Sequence, residues 1–203
     1  MKLIRKIVGT LLLAAAIIWM ASVVVDRKML SENLIRLHVV AQSDSAEDQA
    51  VKLKVRDAIV ASLQQNMDSI KDPQEAKAYI TGKLDDLTVI ANSVLEEAGC
   101  SARAVVTLTK ETFNKRNYDT FSLPGGVYES LRVTIGDGEG KNWWCVVFPS
   151  LCLPATSTEF EDTAVGSGFD DTLTDTLQQK NGYKIRFFFL DCLGWLQNLF
   201  FGG

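Results

Sequence analysis

The sequence predicts an α+β domain: a mainly antiparallel sheet with two helices packed on one face, preceded by an N-terminal membrane anchor or signal helix. Three observations carry this. Residues 7–25 hold no charge. Two segments, 46–65 and 73–98, repeat apolar residues at helical spacing. Alternating apolar runs near 34–41, 103–109, 127–135, 143–148 and 185–189 complete the order β-α-α-β-β-β-β.

Of 203 residues, about 175 remain once a membrane segment is set aside, enough for one domain with a real core. Residues 1–28 are expected as signal anchor or signal peptide, and 34–199 as a single extracytoplasmic domain. The composition is 47% hydrophobic and 23% charged, which is globular. A net charge of -4, with Lys and Arg scattered among acids, gives no basis for nucleic-acid binding.

Taken in order, Lys2, Arg5 and Lys6 precede the uncharged stretch, and Asp26, Arg27 and Lys28 end it. As a helix it would span roughly 28 Å, the thickness of a bilayer core. The basic head favours an N-in orientation with the body exported. An uncleaved anchor is preferred over a cleaved peptide, because Val23, Val24 and Val25 follow the small residues near Ala21 and Ser22. Residues 31–33 read as a polar spacer. The first strand sets Ile35, Leu37 and Val39 against Arg36 and His38. Asp44 and Glu47 fit a capping box for the first long helix, whose apolar side carries Ala50, Leu53, Ile59 and Leu63. Pro73 suits the first turn of the second, which aligns Ala76, Ile80, Leu84, Leu87, Ala91 and Leu95 before Gly99 stops it.

Ala104, Val106 and Leu108 alternate in the next strand, and 110–122 reads as a loop. Val127, Leu131, Val133 and Ile135, the Gly136–Gly140 run and residues 143–148 then predict a β-hairpin, which Pro149 ends. Adjacent Trp143 and Trp144 must point to opposite faces. Residues 154–181 are poor in apolar anchors and are expected as a mobile excursion. Residues 185–189 read as a strand and 190–201 as a short amphipathic tail.

Four cysteines lack CxxC spacing, so no metal or other cofactor is expected. Cys145 and Cys152 would lie roughly 23 Å apart in a continuous strand. A turn at Pro149 and Pro154 would bring them together, as a disulfide or as two separate buried thiols. The sharpest catalytic constellation is Cys145 with His38, the single histidine, and Asp44 as orienting group; it would make a secreted hydrolase acting on cell wall or peptide. Against it, Cys145 sits mid-strand among apolar residues, where thiolates are not activated. Adjacent acids such as Asp85-Asp86 diverge on a helix and cannot share a cleft. Gly136–Gly140 lacks the Gly-Lys-Ser/Thr of a phosphate loop. The better reading is a binding module and not an enzyme, with no small-molecule substrate. Its candidate contact residues are Arg56, Tyr128, Arg132, Asn142, Trp143 and Trp144, since Trp, Tyr and Arg anchor interfaces.

Residues 123–152, LPGGVYESLRVTIGDGEGKNWWCVVFPSLC, and 35–57, IRLHVVAQSDSAEDQAVKLKVRD, resemble the stage II sporulation protein R family in order and separation. With the N-terminal apolar segment, the resemblance spans nearly the whole chain. Two departures are mild: Gln42 stands where the family commonly has Asn, and Gly126 interrupts a Pro-Ala-Gly-like turn. The resemblance implies a signalling protein made in the forespore and exported into the space between forespore and mother cell. Its implied partner is a membrane-embedded aspartic protease that matures pro-sigma-E.

Overall fold

A computed structural model describes residues 1–67, 69–152 and 157–201. The first helix, α1 (Lys2–Asn33), runs without interruption into β1 (Ile35–Val40). The expected spacer at 31–33 is therefore its last turn. Two long helices follow, α2 (Ala46–Met67) and α3 (Pro73–Glu97), then β2 (Ala104–Phe113). A small ribbon, β3 (Arg116–Asn117) with β4 (Ser122–Leu123), precedes β5 (Gly126–Ile135) and β6 (Asn142–Phe148). Three helices end the chain: α4 (Ser157–Gly166), α5 (Asp171–Leu177) and α6 (Lys184–Phe201).

The α+β class holds, with two antiparallel strand pairings and one parallel in the order β2-β5-β1-β6. The expected hairpin does not form. β1 lies between β5 and β6, parallel to the first and antiparallel to the second. The glycine-rich connection arches over the end of β1, where Gly140 N–H donates to Ala41 O at 2.9 Å and Glu139 N–H to Gln42 O at 3.2 Å. Gly136 and Gly138 take φ of 58° and 67° there, which a side chain would strain. Six residues easily cover the roughly 10 Å between strands two apart.

α2 and α3 cover one sheet face, burying Val55, Ile59, Leu63, Ile80, Leu87 and Leu95 against Leu37, Val39, Leu131 and Val133. The buried side of α2 is rotated from the expected one: Ala50 and Leu53 face solvent. Its cap also shifts, since Ser45 Oγ accepts from Asp48 N–H at 3.1 Å while Asp44 accepts from Lys141 N–H at 2.7 Å. Pro73 stands in the first turn of α3 as expected, and Asp72, not among the expected caps, caps the helix by accepting from Gln74 N–H at 2.7 Å.

The second face is buried too. The end of α1 joins α4, α5 and α6 over Phe113, Tyr128 and Val146. Residues 157–181, expected within a long excursion, form α4 and α5 and bury Phe160, Ala164, Phe169, Leu173 and Leu177; 154–156 lie outside the described residues. A few large side chains suffice, as in the Phe121–Phe160 ring stack at 4.6 Å. Residues 185–189 are helical, not a strand. The aromatic run fits a strand by propensity, but Phe187, Leu190 and Gly194 repeat at helical spacing and that side packs inward. The segment 110–122 is likewise mostly paired backbone, as the end of β2 and the β3–β4 ribbon.

Candidate functional site

β1 is central, so all six of its residues are buried, including Arg36 and His38. These two side chains point away from α2 and α3. His38 Nδ1 lies 3.1 Å from Glu111 Oε2, and His38 Nε2 lies 2.8 Å from Asn142 Oδ1. The imidazole stacks on Trp144 at 3.6 Å between centroids. Arg132 Nη1 donates to Glu111 Oε1 at 2.6 Å. Burial opposes ionisation of Glu111, but the hydrogen bonds of His38 and Arg132 outweigh it and hold the carboxyl at about 2. Above them Arg36 is fully buried, its guanidinium 4.0 Å from the Phe113 ring and its Nη2 donating to Tyr118 Oη at 3.1 Å.

The six expected contact residues do not form one surface. Trp143 and Trp144 diverge as expected, and the others sort with one or the other. Arg56 stacks over Trp143 at 4.2 Å on the α2 side. Arg132, Asn142 and Trp144 share the opposite face with His38. Tyr128 leaves the set: it is buried, with its hydroxyl donating to Pro124 O at 2.8 Å. It cannot touch a partner without unfolding the strand around it.

The Cys145–His38 constellation is not assembled. Cys145 is bonded to Cys152, with Cα atoms 5.1 Å apart, so the disulfide alternative is the one realised. Its sulfur also points into the α2–α3 core, across the pleat from His38. Asp44 bonds Lys141 rather than the histidine. His38 is therefore oriented by Glu111 and Asn142 with no nucleophile among these residues.

What the arrangement does offer is an edge. Val146 O accepts from Leu151 N–H at 3.2 Å on the side of β6 away from β1. By the two-residue period, the backbone groups of Asn142 and Trp144 point outward the same way. Beside them lies a groove of about 520 Å³ lined by Arg116, Tyr118, Phe121, Trp143, Trp144 and Leu151. The Arg116 guanidinium sits 5.5 Å from the Trp144 ring. Such an edge, with aromatic walls and a cation, suits an extended peptide that adds a strand. Of the groove residues the sequence pointed to Asn142, Trp143 and Trp144, and it missed Arg116 and Tyr118, which with Glu111 lie inside the stretch expected as loop. The alternation of Thr109, Glu111 and Phe113 was the available signal.

Residues 31–158 match the family model described as stage II sporulation protein R. The chain is also similar to the stage II sporulation protein R of Bacillus subtilis (strain 168), at 28% identity over 94% of each chain. No solved structure matches it.

Proposed function

Because the chain belongs to the stage II sporulation protein R family, we propose that it is an exported intercellular signal that activates the membrane aspartic protease maturing pro-sigma-E. The family match carries the reading. Two features are in keeping with it. α1 is long and apolar enough to cross a membrane, and a disulfide suits an oxidising compartment outside the cytoplasm. In this reading the domain lies in the space between forespore and mother cell. It offers the β6 edge and the Trp144 groove to an extended loop on the outward side of the protease. Activation then requires tighter binding to the active assembly of the protease than to its resting state.

The test is reconstitution in a non-sporulating host expressing the protease, pro-sigma-E and this chain. Clipping of the pro-form only when all three are present is expected. Clipping without this chain, or none with it, overturns the proposal. Trp144→Ala and Arg116→Glu should lower clipping at least tenfold while the domain stays folded, since a central aromatic anchor carries roughly 2 kcal/mol or more.

A further inference from the structure

The C-terminal helix is at odds with an aqueous surface. From Ile185 onward, every exposed position of α6 is apolar: Ile185, Phe188, Trp195, Leu196, Leu199, Phe200 and Phe201. Ile185 is 67% exposed, Phe188 62%, Trp195 60% and Leu199 58%. These four fall three, seven and four residues apart, which aligns them along one side of the helix. The charged groups of the helix beyond Lys184 turn inward. Arg186 pairs with Asp26 at 2.6 Å, and Asp191 accepts from Gly125 N–H at 2.8 Å. An exposed stripe of this size on a domain signals a surface that is covered in use.

The position of α6 identifies the cover. It packs directly on α1, through an edge-to-face contact of Phe189 with Trp19 at 5.3 Å between centroids. Arg186 Nη1 donates to Ser22 Oγ at 3.0 Å, and Arg27 Nη2 to Gln197 Oε1 at 2.7 Å. Trp19 lies six residues before the end of the uncharged stretch, roughly 9 Å deeper along the helix axis. When α1 spans a bilayer, that contact holds Phe189 at the depth of Trp19, roughly 9 Å inside the hydrocarbon boundary, while the Arg27–Gln197 bond holds the last turns of α6 at the boundary itself. Tryptophan and phenylalanine are favoured there, and Lys184 at the start of the helix can reach the headgroups.

We propose that α6 is a second membrane contact: its Ile185–Phe188–Trp195–Leu199 side lies in the lipid interface beside α1 and sets the tilt of the sheet above the bilayer. The occupant is the lipid surface, as for other helices that lie in the interface plane. This rests on α1 being inserted, not on which protein the domain signals to.

The experiment uses the full chain in phosphatidylcholine–phosphatidylglycerol vesicles whose acyl chains are brominated near the glycerol end. Trp19→Phe and Trp195→Phe assign the tryptophan fluorescence that lipid bromine quenches. Both tryptophans are expected to be quenched at least twofold, with Trp195 shielded from aqueous acrylamide to a similar degree. Quenching of Trp19 alone, with Trp195 open to acrylamide, overturns the proposal and leaves α1 inserted. Quenching of neither overturns the insertion of α1 as well. A Trp195 shielded from acrylamide only after a membrane partner is added transfers the stripe to a protein and also overturns the proposal.

Discussion

Glu111 shows how burial turns a polar side chain into a constraint. Its carboxyl takes hydrogen bonds from His38 and Arg132 and titrates at about 2 against an ordinary 4.5. A depressed folded value means the contribution is complete above the unfolded value and is lost as pH falls from about 4.5 towards 2. The shift corresponds to about 3 kcal/mol, an upper figure because the side chain is partly open to water. Glu111→Gln is therefore expected to lower stability by about 1–3 kcal/mol at pH 7 and to flatten its fall between pH 5 and 2. Urea midpoints measured across that range check it; a mutant with the wild-type slope would show the cluster to be energetically idle. His38 was legible as a sheet histidine. Its partner Glu111 was not, because it falls eight residues into a strand whose polar end looks like a loop.

Local spacing was enough to place the buried side of α3 but not that of α2, which is rotated from the periodic one. α3 is a single amphipathic helix, and its Pro73 start, Gly99 stop and buried positions followed from local spacing, while its Asp72 cap did not. β5 and β6 flank a glycine loop and looked like a hairpin; only the competition of β1 for the space between them changed the pairing. Two outcomes belong at this scale. Closing the Cys145–Cys152 loop should contribute about 2–3 kcal/mol, so Cys145→Ser with Cys152→Ser should lower the urea midpoint, and reductant should reproduce the loss in the native chain. A Cβ at Gly194 would run into the backbone carbonyl of Gly125. Gly194→Ala is expected to lift α6 from β5, read as faster amide exchange through residues 190–198 with α2 and α3 unchanged.

For the whole molecule, the consequential feature is that α1 belongs to two environments. Its N-terminal part is exposed and apolar, while Val23, Asp26, Arg27 and Leu30 are buried in the domain. Removing residues 2–18 should leave a folded body with the same cooperative melt. Removing residues 2–30 should abolish it, since Leu30 and Val23 are core side chains and Arg186 would lose its carboxylate partner. Melting followed by circular dichroism distinguishes the two truncations. The apolar N-terminal helix and the domain are thus mechanically continuous, with β1, the central strand, following α1 after Leu34 alone.

Local order along the chain determined the apolar N-terminal helix, the α2–α3 pair, the divergence of the two tryptophans and the family resemblance. Each is a periodicity or a run of adjacent residues, and a single chain displays both directly. Strand neighbours, the sorting of Arg56 and Tyr128 away from the Trp144 groove, and the three helices α4, α5 and α6 were decided only in three dimensions. The reason is that they depend on what covers each face. A strand covered on both sides buries Arg36 and His38, and a Thr- and Asp-rich segment folds once a second sheet face gives its few aromatics somewhere to go.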